Sequence, residues 1–425
     1  MPQTLFTNVS IIDGSGAEPY AGQVLVQGNR IKSVAGLDRK LEHDGAQVVD
    51  AGGATLMPGL VEAHAHPSFA NTATLDGLGD IPPEEHVLIC LRHARILLDQ
   101  GFTSILSAAA AKPRLDIVLR NAINSGEFPG PRMLAASPEL TVTGGLGDVR
   151  LSHLHRETFA VICDGPDEFR KMARVMVREG VDTLKVNPAG DALVPFASAY
   201  ETVMNDQEMA AVREVADSRG KRMAAHARSD ESVRMCIRHR VEIIYHAMLC
   251  SEETIDQLTS VKDKVFVAPT IGATYATLYE AGPFGLSQEV CESLGIKQEL
   301  DFGIGVMKEL KRRGVRILPG GDYGFAWTPM GTNARDIEHF VKLLDFTPLE
   351  AIRSATQWGG EIMMRGHELG LIKEGYLADI LLVDGNPAQD VSILQDKNRL
   401  IAIMKDGTFH KAPPAEAVAN RIAAE

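Results

Sequence analysis

The chain of 425 residues has few cysteines, few aromatic side chains, no basic tract and no long apolar run. Its five cysteines (Cys90, Cys163, Cys236, Cys250 and Cys291) are scattered and never take Cys-x-x-Cys spacing. That argues against a disulfide scaffold or a thiolate metal site, and for buried free thiols. No stretch of about 18 uncharged apolar residues occurs, so no membrane span is expected. The start, MPQTLFTNVSIIDGSG, lacks the basic head and apolar centre of a signal peptide, and a cytoplasmic location is expected. A net charge of −13 with no Lys/Arg run speaks against nucleic acid and anionic membrane as partners. A small-molecule substrate and further copies of the chain, as a homo-oligomer, are the expected partners.

What is present is ordinary globular composition, 45% hydrophobic, which is ample for a large core. The two ends share one texture. TLFTNVSIID, GQVLVQGNRIKSVAG and AQVVDAGGATLMPG near the start, and LADILLVDGNP and RLIAIMKDGTFHK near the end, are short apolar or alternating strands closed by Gly, Asn and Asp-Gly turns. They are expected to meet in one small β-domain. The middle instead alternates strand and helix. Eight strand segments, LVEAHAH, FTSILSA, RMLAASPEL, DTLKVNP, RMAAHA, EIIYHAM, VFVAPTI and RILPGGD, mostly follow helix-like stretches, several ending at Gly. Eight such units predict a (β/α)8 barrel over residues 59–366, with residues 1–58 and 367–425 forming the composite β-domain.

Barrel enzymes place their chemistry at the C-terminal ends of the strands. Here those ends carry His64 and His66, Lys185, His226, His246 and Asp322. Residues i and i+2 of a strand share a side, so His64 and His66 face one way together. Taken singly, each of these residues is more often structural than a ligand. Together they put four imidazoles and one carboxylate at one barrel mouth, a costly placement unless the groups are paired or bind metal. Imidazole with carboxylate suits Zn, Mn, Co or Fe better than Mg or Ca. A second pair with the same spacing, His153 and His155 in SHLHRE, sits among Gly, Ser, Arg and Asp in a loop and is not expected to bind metal.

VEAHAH, LKVN, AAHA, IYHA and GGDYG, in this order, resemble the amidohydrolase superfamily, as do the flanks GGATLMPGLVEAHAH and LGLIKEGYLADILLVDGNP. The resemblance covers almost the whole chain. It implies a TIM-like (β/α)8 barrel with a β-sandwich built from both chain ends. It implies two divalent ions, zinc first, with Mn, Co or Fe as alternatives. His64, His66 and Asp322 would hold the inner ion, His226 and His246 the outer one, and Lys185 would bridge them. An ammonium cannot ligate a cation, so Lys185 would carry a CO2-derived carbamate. A metal-bridging hydroxide would attack an amide-like carbonyl, with Asp322 taking its proton and returning it to the leaving nitrogen.

The short motifs VTGGLGD, IYHA and GGDYGFAWTP look closest to the branch that hydrolyses phenylureas, thiocarbamates and related N-aryl amides. Leu146 and Arg228 stand where prolidase-like carboxypeptidases and ochratoxin-type amidases often have His and Tyr. The expected activity is therefore cleavage of an amide, carbamate or urea C–N bond in an apolar or aromatic small molecule. A metallo-dipeptidase or carboxypeptidase is the alternative, and a deaminase a more distant one. Arg228 is a candidate to hold an oxyanion or carboxylate, or else pairs with Asp230 or Glu231. Tyr275, Tyr323 and Trp327 are candidate substrate contacts, and Tyr245 is expected to face the helices.

Overall fold

Leu60–Ala65, Phe102–Ser107 and Ala136–Thr141 are buried at every residue, as parallel strands covered on both faces must be. In the computed structural model, which describes residues 2–43, 45–154, 156–414 and 418–419, they join Arg132–Leu134, Thr183–Val186, Arg222–Ala227, Ile243–His246 and Phe266–Ala268 in parallel ladders that follow the chain. The third barrel position is shared. Arg132–Leu134 pairs with the second strand and Ala136–Thr141 with the fourth. The eighth is a bridge and not a full strand: Val267 pairs with Ile317, and the Ala63 amide donates to the Pro319 carbonyl at 3.4 Å, which closes the ring on the first strand. All eight expected segments thus take part, in order, in a (β/α)8 barrel. An unanticipated short strand, Ala160–Ile162, adds in parallel to Ala136–Thr141.

The helices begin and end where local chemistry dictates. Asn205 caps Asp206–Arg219 through a capping box with Glu208, and Gly220 ends that helix in the left-handed region at φ 60°. Gly180 ends Pro166–Glu179 in the same way, at φ 107°.

Both chain ends feed one mixed sheet. Thr55–Pro58 is its seam, parallel to Gln3–Ile11 on one side and antiparallel to Ile380–Val383 on the other. Phe6, Val24, Ile31, Leu56, Ile380 and Met404 pack on one face, and Leu5, Leu25, Ala35 and Leu41 gather separately. This is the sandwich-like domain built from both termini. One residue past the seam, the Gly59 amide donates to the Asp379 carbonyl, and the chain enters the barrel at Leu60. Among the described residues no helix is long and apolar enough to cross a membrane, and all five cysteines are buried and unpaired.

Candidate metal centre

His64 lies in the first barrel strand and His66 just past its end; both are almost completely buried. The two Nε2 atoms converge on one carboxylate oxygen, Asp322 Oδ1, at 3.6 and 3.1 Å. Asp322 is brought there by the turn after the eighth segment, in which it adopts a left-handed φ of 57°. Gly320 makes the approach possible, since a Cβ there would lie 2.7 Å from His64 Cβ and 2.8 Å from the His64 nitrogen. The three side chains form a group whose ligand atoms lie within 4.8 Å of one another.

The turn after His66 is fixed from outside the barrel. His93 and His86, on the helix Pro83–Asp99, hydrogen-bond the carbonyls of Pro67 and Ser68 at 3.1 and 2.5 Å. His66 Nδ1 is tied to the Ala109 carbonyl at 3.0 Å, which leaves Nε2 to face Asp322. Such ties fix the tautomer of a ligating imidazole. Behind His64, the buried Glu62 accepts from the His64 amide at 3.2 Å and from Asn333 at 3.0 Å, and burial pushes its carboxyl up to about 8.

The other half of the mouth carries Lys185, His226 and His246, all buried. The rings of His226 and His246 lie 4.3 Å apart, and those of His64 and His246 lie 5.6 Å apart. His246 is anchored through Nδ1 to Thr270 Oγ1 at 2.6 Å, while its buried Nε2 has no partner among the described residues, and neither does His64 Nδ1. Burial drives both His64 and His246 well below the ordinary imidazole range, so both are neutral, as a ligand must be. Burial opposes ionisation of Asp322, but His64, His66 and Lys185 outweigh it and hold the carboxyl far below its usual range. Neutral imidazoles with unsatisfied nitrogens beside an ionised carboxylate are the donor set of a transition-metal site.

Three acidic residues that sequence reasoning passed over complete the site. Glu139 sits 3.8 Å from Lys185 Nζ. Asp191 lies 2.8 Å from Arg228 Nε, and Glu299 accepts from Arg228 Nη1. The only available signal was for Glu139, a carboxylate inside a segment expected to be a barrel strand. Asp191 and Glu299 come from a loop and a distant helix, with no spacing to betray them.

All six candidate ligands line one cavity. Its remaining wall is largely apolar, with Phe69, Leu75, Leu146, Phe159, Phe325 and Trp327. Phe325 and Trp327 stack with centroids 5.3 Å apart, and Trp327 donates from Nε1 to Thr277.

Of the four candidate substrate contacts, Arg228 and Trp327 reach this cavity; Tyr275 and Tyr323 do not. Tyr275 packs outside it, against Tyr279 and His339. Tyr323 is turned away by the left-handed geometry of Asp322 and buried next to Gly272. Arg228 pairs with neither Asp230, which binds Arg234, nor Glu231, but with Asp191 and Glu299.

Tyr245 also departs from expectation. It faces the barrel interior, its ring centroid 3.9 Å from that of His64 with the planes tilted by 32°, and lies under Lys185 Nζ. The reason is backbone geometry: Tyr245 continues the inward row of Ile243, and His246 reaches the mouth only by turning to φ 71°. His153 is exposed, and its companion His155 lies outside the described residues.

Comparison with known proteins agrees with this picture. The family model described as Amidohydrolase family matches residues 55–409. Ochratoxinase of Aspergillus niger is 24% identical over 379 residues, covering 84% of this chain and 76% of that one. The crystal structure of a prolidase complexed with N-methylphosphonate-L-proline superimposes with a TM-score of 0.87 at 25% identity, covering 96% of this chain and 99% of that one. Phenylurea hydrolase B gives a TM-score of 0.73 at 18% identity, covering 96% of each chain. That last likeness is one of fold alone. Prolidase, ochratoxinase and phenylurea hydrolase thus all stand among the proteins this chain is similar to.

Proposed function

The chain belongs to the amidohydrolase family, and from that premise we propose that it is a binuclear metal-dependent hydrolase of an amide-like C–N bond in a small, largely apolar molecule. The observation that carries the reading is the convergence of His64, His66 and Asp322 within 4.8 Å, beside His226, His246 and Lys185 in the same buried cavity. His64, His66 and Asp322 would hold one ion and His226 and His246 a second, with Lys185, as its carbamate, between them. Such ions, when bound, polarise a carbonyl and lower the pKa of water.

The chain's own groups do the rest. Asp322, ionised and aimed into the cavity, takes the proton of the attacking water and returns it to the leaving nitrogen, without which an amide nitrogen departs poorly. Tyr245 and Glu139 position Lys185 from beneath and beside. The aromatic and aliphatic wall excludes water and binds the apolar part of the substrate.

A second reading, hydrolysis of N-acyl amino acids or dipeptides, draws support from the likeness to ochratoxinase and prolidase. Both readings share the metal centre and differ in whether the substrate carries a free carboxylate. The test of the centre is metal content. Protein reconstituted with Zn, Mn or Co and freed of excess ion should hold two ions per chain, and Lys185→Ala at most one. One ion in both proteins would contradict the bridging role of Lys185.

A further inference from the structure

Arg228 lines the same cavity as the candidate ligands, two residues beyond His226, and only 8% of it is exposed. A free guanidinium in that position would be a fork for a carboxylate. This one is already taken. Its Nε lies 2.8 Å from Asp191 Oδ2, and its Nη1 donates to Glu299. Glu299 is 2% exposed and belongs to the helix Ile296–Arg312. That helix can lie close because Gly303 has no Cβ to collide with Met248, which would be 2.4 Å away. Lys185, the other basic residue in the described lining, faces Glu139 and, as the proposed carbamate, carries no positive charge.

We infer that Arg228, Asp191 and Glu299 form a specificity-determining triad that rejects substrates with a free carboxylate beside the scissile bond and admits uncharged ones. Burial pushes the Glu299 carboxyl up and Arg228 opposes that rise; with both acids ionised, one guanidinium between two carboxylates leaves an excess negative charge on this part of the wall. An incoming carboxylate would meet that charge where the low dielectric screens it poorly. The Nη donors not engaged by the two acids still serve a neutral acceptor, such as the carbonyl of an amide, carbamate or urea. The sequence alone presents Arg228 as a carboxylate receptor; its two partners, contributed by separate elements, reverse that reading.

The inference rests on the proposed C–N hydrolase activity only for its meaning in catalysis, and binding tests it independently. N-benzoylphenethylamine and N-benzoylphenylalanine share one amide and differ by one carboxylate. Calorimetry on the metal-reconstituted protein should give binding of the neutral compound at least about tenfold tighter. In Glu299→Gln the carboxylate compound should gain about tenfold, with the neutral one changed by less than about threefold. Asp191→Asn serves as a second variant should Glu299→Gln not fold. Equal or tighter binding of the carboxylate compound by the wild type, no binding of the neutral one, or no gain in the folded variants would overturn the triad's role. Binding in the predicted order without hydrolysis of either compound would leave the triad standing and count against the proposed reaction.

Discussion

At the scale of single residues, Asp322 is where geometry and chemistry meet. Its carboxyl stays ionised beside two imidazoles and lies in the cavity that would hold the substrate. Asp322→Asn keeps the shape and removes the proton acceptor. It should lower kcat by about 10²–10⁴ with a much smaller effect on KM, read from steady-state hydrolysis of any accepted substrate. Full activity in the Asn variant would remove Asp322 from the proton route. The residues that converge here were legible because strand ends carry a simple code. A parallel barrel puts every strand C-terminus at one mouth, so His64, His66, Lys185, His226, His246 and Asp322 could be placed together from their strands alone. Asp191 and Glu299 could not, since their meeting with Arg228 depends on how a loop and a helix fold over the mouth. Tyr245 was misplaced because alternation along a strand says nothing once the backbone enters the left-handed region, as it does at His246, and Tyr323, expected at the mouth because it follows Asp322, is turned away by the same left-handed geometry at Asp322.

At the scale of elements, two contacts carry the shape of the centre. The first is the closure of the eighth segment on the first strand at Gly320. Any side chain there must push against His64, so Gly320→Ala should cost about 1–3 kcal/mol in denaturant unfolding and reduce the metal retained after dialysis. Unchanged stability and metal content would show that the closure tolerates a side chain. The second is the support of the turn after His66 by the helix Pro83–Asp99. Burial pushes His93 down to about 4, while an unfolded chain takes up this proton near 6.5. The unfolded state therefore binds the proton first. The contribution of His93 is complete above pH 6.5 and shrinks as the pH falls toward 4. Asp336 and Asp116, raised by burial to about 6, act in the opposite sense, their stabilisation growing as the pH falls through that value. Comparison with His93→Gln isolates the histidine. Between pH 7 and pH 5 the variant should lose about 1–2 kcal/mol less than the wild type in urea unfolding, and an equal loss in both would contradict a neutral, buried His93.

At the scale of the whole molecule, the barrel and the terminal sheet share one continuous chain segment. Thr55–Pro58 is held between strands from both ends and passes through Gly59 into the strand that carries His64 and His66. Removal of residues 367–425 strips Thr55–Pro58 of its antiparallel partner and exposes Leu56 and the apolar face around it. The shortened chain should be insoluble or lack a cooperative unfolding transition, and a soluble, cooperatively folding barrel would show that the seam is dispensable. The alternation of strand and helix and the matching texture of the two ends made this plan readable in the sequence. The eighth strand, reduced to a bridge at Ile317, and the extra strand Ala160–Ile162 were not, because both depend on pairing partners and not on their own composition.

The central claim is that this chain hydrolyses C–N bonds through ions held at the barrel mouth. The most direct measurement is amine release, followed by mass spectrometry, from a panel of N-aryl ureas, carbamates, neutral amides, N-acyl amino acids and dipeptides. The panel would be offered to protein reconstituted with Zn, Mn or Co and to the same protein after chelation. The account predicts amine from at least one neutral member of the panel, abolished by chelation and restored by adding back the ion. No amine from any member, or equal release from the chelated protein, would contradict it.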